Sequence, residues 1–117
     1  MRNFREINVW EKSHQLTLAI YKVTQAFPVE ERYGLTGQMR RASASIPANI
    51  AEGCGRTGDA ELRRFMQISM GSASELEYHL VLAYDLGYLD QDAYQQLNTQ
   101  TVEVKRMLAS FIKRLRS

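Results

Sequence analysis

The strongest constraint on the fold is a heptad-like repeat of mostly apolar residues near the C-terminal end of the sequence. It recurs at alternating steps of three and four residues, at Tyr94, Leu97, Thr101, Val104, Leu108, Phe111 and Leu115. That spacing forms one stripe along an α-helix. Asp90 is suited to the N-cap, and Arg114 and Arg116 complement the helix dipole at the other end. The pattern predicts a helix over residues 90–116.

Two further helices are predicted in the first half of the chain. A stripe of the same kind predicts a helix over residues 9–26, which Pro28 ends because proline lacks the backbone N–H. A second helix is expected over residues 31–52, where Gly53 can supply a left-handed C-cap. Pro47 lies inside this second helix, and we expect a kink there.

The third helix, over residues 59–86, carries more apolar surface than one bundle face needs. Asp59 lies at its start and Gly87 stops it. Beside its inward stripe lie a second apolar flank and a run of small residues that would admit a neighbouring helix. The candidate subunit contacts are Met66, Met70, Ala73, Val81 and Tyr84.

The four predicted helices define the fold class. Their short connections favour an antiparallel up-down-up-down four-helix bundle, kinked in its second helix near Pro47, and no segment resembles a strand. A chain of 117 residues fits one domain, which we place over residues 1–117. The expected class is therefore all-α.

Composition narrows the setting in which the chain works. Hydrophobic residues make up 44% and charged residues 24%, which is typical of a water-soluble domain, and the longest apolar run has only five residues, at 80–84. The first residues lack the pattern of a secretion signal, so we expect a cytoplasmic protein without membrane attachment. Cys54 is the single cysteine, and no close set of His and Cys residues predicts a metal site or another cofactor.

Charge is distributed unevenly although the net charge is only +2. Up-down topology would gather basic residues, among them Arg2 and Arg5, at the end that holds the starts of helices one and three. The other end would collect acidic residues against Arg32 alone. Clustered cations attract phosphates, so a nucleic-acid surface is predicted as one option and a solvated or subunit-contact role as the other. Its candidate residues are Arg40, Arg41, Arg56, Arg63, Arg64, Lys105, Arg106, Lys113, Arg114 and Arg116.

Two motifs that would indicate chemistry fail on context. Residues 53–58 match G-x-G-x-x-G, but a helix precedes them where a dinucleotide-binding loop requires a strand. Cys54 lies near Arg56, and His14 falls at the same predicted end, so a cysteine–histidine enzyme is a third and weaker option. An ordinary cysteine is the favoured interpretation.

A known family is resembled by residues 34–56, GLTGQMRRASASIPANIAEGCGR, and by the segments of this chain before and after them. The family comprises small four-helix-bundle proteins encoded in intervening sequences of bacterial 23S rRNA genes, and the resemblance covers nearly the whole chain. The matching elements are Gly34-Leu35, Gln38, Arg41, Ser45-Ile46-Pro47, Asn49 to Gly53, Arg56, Gly71-Ser72 and Glu75. Met70 stands where relatives often carry alanine.

The resemblance implies a homo-oligomer, commonly a pentamer, without a catalytic site. Some relatives are accessory proteins of diversity-generating retroelements, which associate with a reverse transcriptase and have a basic surface suited to RNA or DNA. The leading hypothesis is thus a non-enzymatic oligomeric scaffold that binds nucleic acid or a nucleic-acid enzyme. The alternative is a protein-interaction module with no nucleic-acid role.

Overall fold

Four α-helices form the architecture in the computed structural model, which describes residues 2–115. They are α1 (Asn8–Thr24), α2 (Leu35–Cys54), α3 (Asp59–Asp85) and α4 (Gln91–Arg114), and 3-10 turns lie at Phe4–Glu6 and Val29–Glu31. Within that described range there is no strand, and none of its helices has a stretch long and apolar enough to cross a membrane. The predicted all-helical class is confirmed.

The start of α2 differs from the prediction. The chain makes a 3-10 turn at Val29–Glu31, and α2 begins only at Leu35. Gly34 interrupts the helical path with φ −109° and ψ −117°. The Glu31 carboxylate then takes the place of a cap, because its Oε1 accepts a hydrogen bond from the Leu35 amide at 3.0 Å and its Oε2 accepts one from the Tyr88 hydroxyl at 2.9 Å.

Glycine has different roles from the predicted ones at the end of α2. Gly53 is not a left-handed C-cap, since it is buried inside the helix where α3 comes closest. A Cβ at Gly53 would lie 2.9 Å from both Leu62 Cδ1 and Phe65 Cβ. The left-handed glycines are Gly58, with φ 86°, and Gly87, with φ 82°. Gly53 therefore permits close packing, and the chain turns farther on.

The C-terminal helix begins as the sequence predicts. Asp90 is its N-cap, and the Asp90 Oδ1 accepts a hydrogen bond from the Ala93 amide at 2.8 Å. Gly87 follows the last turn of α3 with the positive φ that ends the helix. The N-cap at Asp90 and the helix stop at Gly87 each depend only on residues within one helical turn, so the sequence alone was sufficient to predict them.

Each helix packs against two neighbours, in the cyclic order α1, α2, α3, α4. Contacts between neighbouring helices run in opposite order along the two helices. In the first pair, Thr17 contacts Ser43 and Thr24 contacts Arg40. In the second, Ser45 meets Ser72 and Gly53 meets Leu62. These pairings favour the predicted antiparallel arrangement.

The core lies between all four helices and is filled mainly by aliphatic side chains. Its largest fully buried members are Leu16, Ile20, Met39, Ile46, Ile50, Met66, Leu76, Leu80, Val104 and Leu108. Met66 and Ala73 are both completely buried within this single bundle. Their assignment to a subunit interface is therefore wrong, because neither side chain is accessible to a second copy.

Pro47 is buried in the middle of a helix that continues through it. Small hydroxyl side chains surround this part of α2. The Ser69 hydroxyl donates to the Ile46 carbonyl at 2.8 Å, and the Ser45 and Ser72 hydroxyls lie 2.9 Å apart. The residues that produce the family resemblance thus shape the contact of α2 with α3. The kink at Pro47 stays a prediction.

Candidate nucleic-acid interface

Arg2 joins the chain segments that meet at the basic end of the bundle. Its backbone amide donates to the Cys54 carbonyl at the end of α2, at 3.2 Å. Its guanidinium lies 3.4 Å from Asp59 at the start of α3 and 5.5 Å from the centre of the Phe111 ring in α4. The N-terminal segment, the end of α2, the start of α3 and the last turns of α4 are therefore brought together.

Cations outnumber acids at this end. The basic residues are Arg2, Arg5, Arg56, Arg63, Arg64, Arg106, Lys113 and Arg114, and the acidic residues are Glu6, Glu11, Glu52, Asp59 and Glu61. Arg56 pairs with Glu52 at 3.0 Å and Arg64 with Glu61 at 3.0 Å. Both pairs are about half exposed, so each contributes little to stability. The surface stays positive after these pairs are formed.

The hydrogen bond between Arg64 and Glu61 favours the charged form of both groups. The hydrogen bond from Arg64 lowers the pKa of Glu61. The same hydrogen bond raises the pKa of Arg64. Both groups are thus charged at neutral pH, and Glu61 offsets part of the positive charge on this side of the end.

Three aromatic rings at the basic end carry guanidinium groups, and the first is Phe4, whose ring centre lies 4.6 Å from Arg5. Arg56 and Arg64 lie 5.2 Å and 4.5 Å from the centre of the Phe65 ring. Arg2 and Arg114 lie 5.5 Å and 5.3 Å from the centre of the Phe111 ring. Such cation–π contacts orient a guanidinium while leaving its N–H groups free to donate.

A groove opens between the start of α1 and the last turns of α4. Its volume is about 600 Å³, and we call it the arginine groove after Arg2, Arg106 and Arg114, which line it. Phe111 and Met107 supply apolar surface, and Glu6 is an acidic side chain in the lining. The sequence predicted Arg2 at the basic end without identifying a groove, because the groove depends on how the start of α1 packs beside the last turns of α4.

Two of the predicted phosphate-binding residues are engaged between helices. The Arg40 Nε donates to the Thr24 hydroxyl at 2.9 Å, and its guanidinium lies 4.9 Å from the centre of the Tyr21 ring. Lys105 forms a half-buried ion pair with Glu77 at 2.8 Å. Arg40 therefore connects α2 to α1, and Lys105 connects α4 to α3.

The remaining candidates differ in position. Arg41 is exposed on α2, Lys113 is exposed in the last turn of α4, and Arg63 is half-buried on α3. Neither Arg63 nor Lys113 has an ion-pair partner among residues 2–115. Arg116 lies outside the described residues.

The opposite end of the bundle is acidic, as expected, with one addition. Besides Arg32, Lys22 in the last turn of α1 also lies there. The acidic residues at this end are Glu30, Glu31, Asp85, Asp90 and Asp92. The two ends thus differ in sign, although Arg32 is not the sole cation at the acidic one.

Three of the proposed subunit contacts remain accessible. Val81 and Tyr84 are 38% and 40% exposed, and Met70 is partly buried against the core. Tyr84 stacks on Tyr94, with ring centres 4.9 Å apart. Met70 also lines a shallow, largely apolar groove with Val102 and Ala109. The charged residues Glu77, Lys105 and Arg106 also line this groove, so its apolar residues lie among charged side chains.

The surroundings of Cys54 and of His14 do not favour a cysteine–histidine pair. Cys54 is 2% exposed, and burial raises the pKa of its thiol although the Arg2 charge lowers it in part. His14 stacks on Trp10, with ring centres 5.0 Å apart and planes 9° from parallel. A raised thiol pKa opposes formation of the thiolate that nucleophilic catalysis needs.

His79 is the other histidine, and it is buried in α3. Burial lowers its pKa, while the Glu75 carboxylate, 3.8 Å from Nε2, has the opposite effect. Its Nδ1 has no hydrogen-bond partner among the described residues. Within residues 2–115, no group of three or more His, Cys, Asp or Glu side chains is placed to hold a metal ion.

Helices, charge distribution and buried thiol together define a small all-α bundle protein with one basic end. The chain belongs to the 23S rRNA-intervening sequence protein family, whose model matches residues 5–110. This confirms the resemblance found in the sequence. Comparison with curated proteins gives no match.

A solved structure supports the same fold. It is the crystal structure of a protein of unknown function from the S23 ribosomal protein family of Bacteroides thetaiotaomicron VPI-5482. The two are 26% identical with a TM-score of 0.82, and the similarity covers 90% of this chain and 95% of the other. Neither the family description nor that of the solved structure names a catalytic activity.

Proposed function

We propose that the protein is a non-enzymatic homo-oligomeric scaffold that binds nucleic acid through its basic end. The observation that carries this proposal is the convergence of cations at that end, which Arg2 connects by touching Cys54, Asp59 and Phe111. Clustered arginines favour phosphate backbones, because each contact releases counterions and the guanidinium fork matches phosphate oxygens.

The homo-oligomeric part rests on a different surface. Val81 and Tyr84 leave apolar area accessible on α3, and Met70 lines a groove with Val102 and Ala109 of α4. Exposed apolar side chains on neighbouring helices are typical of subunit contacts. A pentamer is the number that the family resemblance implies. A ring would also repeat the basic end several times and so increase avidity for a long polyanion.

Salt dependence tests the nucleic-acid part. Fluorescence anisotropy with a labelled structured RNA and a labelled single-stranded DNA should give binding at low salt, and the logarithm of the association constant should fall linearly with the logarithm of the salt concentration. The double variant Arg63→Glu with Lys113→Glu should weaken binding strongly, since both cations are free of ion-pair partners among residues 2–115.

The opposite end supplies the matched control. Lys22→Glu with Arg32→Glu changes the net charge by the same amount at the acidic end, where Lys22 is exposed and Arg32 is also exposed. This variant should retain most of the affinity. Equal loss in the two double variants would contradict an interface at the basic end, and absence of binding at low salt would contradict a nucleic-acid function altogether.

Oligomerisation is tested by multi-angle light scattering after size-exclusion chromatography. Val81→Glu with Tyr84→Glu places charge on the accessible apolar surface of α3 and should convert the oligomer to monomers of unchanged helicity. The same double change at two exposed polar positions away from α3, Gln25→Glu and Gln38→Glu, should leave the mass unchanged. A monomeric wild-type protein at micromolar concentration would overturn the proposal.

A protein-interaction role is the second candidate, and exposed side chains near the acidic end favour it. Val29 is 71% exposed and Tyr33 is 92% exposed, beside the acidic Glu30. A protein partner, for which the family resemblance suggests a reverse transcriptase, would dock there without nucleic acid. Affinity capture with and without nuclease treatment distinguishes the two candidates, because only capture through nucleic acid is lost after digestion.

A further inference from the structure

The arginine groove offers cations from two parts of the chain that are distant in sequence. Arg2 precedes α1, and Arg106 and Arg114 lie two turns apart on α4. These three arginines share the groove lining with one acidic residue, Glu6, so positive charge predominates there. We infer that the arginine groove binds the phosphodiester backbone of a single nucleic-acid strand. This inference rests on the proposed nucleic-acid function and assigns it a particular site.

The groove holds two of its guanidinium groups in place before any ligand arrives. The guanidinium of Arg2 lies over Phe111 and pairs with Asp59. The guanidinium of Arg114 also lies over Phe111, and its Nη1 donates to the Ser110 hydroxyl at 3.1 Å. Side chains positioned in this way lose less conformational entropy when they bind, so more of each phosphate contact appears as affinity.

The spacing of the arginines favours a strand over an isolated phosphate ion. Arg106 and Arg114 are separated by eight residues, which is about 12 Å along a helix axis. A chain with a phosphate at every nucleotide can contact both arginines at once, whereas a single ion contacts them one at a time. Linked contacts bind more tightly than separate ones, because the second contact becomes intramolecular.

The shape and lining of the groove favour a single strand over a duplex. A volume of about 600 Å³ is typical of sites that enclose a small ligand. A groove of this size can take individual nucleotides. Phe111 and Met107 provide apolar contact inside it. Arginine planes that already lie over an aromatic ring can also stack on unpaired bases, which a duplex does not present.

Two double variants test the groove against the rest of the basic end. Arg106→Gln with Arg114→Gln removes two charges from the groove, and Arg63→Gln with Lys113→Gln removes two charges from outside it. Binding of a fluorescein-labelled oligothymidylate is measured by anisotropy at several salt concentrations. The groove variant should bind about tenfold more weakly than the outside variant. For the groove variant, the slope of the logarithm of the association constant against the logarithm of the salt concentration should become shallower by about 0.7 for each phosphate that is no longer neutralised.

A variant that gains affinity separates the groove from any loss of folding. Glu6→Gln removes an acidic charge from the groove, and Glu6 is an exposed residue in the short turn before α1. It should tighten binding of the oligothymidylate, an effect that partial unfolding cannot produce. A Glu11→Gln variant is the control, because Glu11 is an exposed acid of the same end that lies outside the groove and has no ion-pair partner among residues 2–115. An equal or larger gain in the control would overturn the inference.

Competition identifies what the groove recognises. Inorganic pyrophosphate and an unlabelled hairpin duplex are added to the labelled complex at constant ionic strength. Efficient displacement by pyrophosphate at low concentration would indicate a site for small anions, and preference for the hairpin would indicate a duplex surface. Either result overturns the groove as a single-strand site. Equal weakening in the two double variants overturns the groove and leaves the basic end intact, whereas absent wild-type binding removes both proposals.

Discussion

The Thr17 hydroxyl in α1 donates a hydrogen bond to the Ser43 carbonyl in α2 at 2.8 Å, which is the shorter of its two contacts, since the Ser13 carbonyl of its own helix lies at 3.0 Å. Ser43 lies four residues before Pro47, so its carbonyl faces the position where an ordinary helix would supply an amide hydrogen. Proline has none. The side chain of a neighbouring helix therefore satisfies the acceptor that Pro47 leaves open, and the interhelical contact compensates for a local defect of α2.

Thr17→Val should destabilise the protein more than the loss of an ordinary hydroxyl. Valine keeps the shape of threonine but leaves the buried Ser43 carbonyl without a donor, at a cost of about 1–3 kcal/mol. The free energy of unfolding, measured with urea and circular dichroism, should fall by that amount. An unchanged urea midpoint would contradict the compensation.

Thr101→Val is the matched control for this experiment. Thr101 is also fully buried, and its hydroxyl donates at 2.8 Å to the Leu97 carbonyl of its own helix. That carbonyl is already the acceptor of the helical amide four residues on, so it keeps a partner after the substitution. The Thr101 variant should lose less stability than the Thr17 variant.

Two glycines inside helices should respond in opposite ways to alanine. A Cβ at Gly53 would lie 2.9 Å from Leu62 Cδ1 and 3.3 Å from the Leu62 Cα, and such overpacking costs about 1–3 kcal/mol. A Cβ at Gly71 would meet no atom within 4 Å. There alanine should stabilise the helix by about 0.5–1 kcal/mol.

Chemical unfolding of both variants checks the pair, with the wild type as reference. If Gly53→Ala were neutral, α2 and α3 would not approach as closely as the structure has them. If Gly71→Ala lowered the unfolding midpoint at high protein concentration only, Gly71 would face another subunit. Gly53 therefore probes the contact between α2 and α3, and Gly71 probes the outer face of α3.

The contrast between these glycines shows where sequence patterns are sufficient. Stripes at three- and four-residue steps predicted all four helices, because that signal depends only on which side chains are apolar. The role of Gly53 depended on how closely α3 approaches, which is a tertiary property. Glu31 was likewise assigned to the beginning of a helix, although it caps α2 from outside through Leu35 and pairs with the distant Tyr88.

The basic residues illustrate the same division for the candidate site. Sequence alone predicted a cluster of cations at one end, since topology fixes which helix ends meet. It did not separate Arg40 and Lys105, which are bound to partners on other helices, from Arg106 and Arg114, which line the arginine groove. Charge is visible in a sequence, whereas the partner of each charge is set by packing.

Replacing Glu31 with glutamine should make the free energy of unfolding less dependent on pH in the acidic range. Hydrogen bonds from the Leu35 amide and then from the Tyr88 hydroxyl lower the pKa of Glu31 below its ordinary 4.5. The unfolded chain therefore binds the proton more readily than the folded one. The stabilising contribution is complete above pH 4.5 and is lost as the pH falls through the lower pKa of the folded state.

Urea titrations of the wild type and Glu31→Gln, at a series of pH values from neutral to strongly acidic, measure this difference. The wild type should be the more stable at neutral pH, and the two curves should converge in acid. Glu30→Gln is the control, because its carboxylate makes no hydrogen bond among residues 2–115. A gap between wild type and Glu31→Gln that stays constant in acid would contradict the assigned hydrogen bonds.

Cys54 should react slowly with thiol reagents while the protein is folded. The side chain is 2% exposed, and burial raises the pKa of its thiol from 9.0, so both access and the thiolate fraction are low near neutral pH. Alkylation by iodoacetamide, followed by mass spectrometry, should be much slower in buffer than in urea, where the same thiol is solvated. His14→Ala should leave the folded rate unchanged, since His14 stacks on Trp10. Fast alkylation of the folded wild type that drops in His14→Ala would instead establish the cysteine–histidine pair.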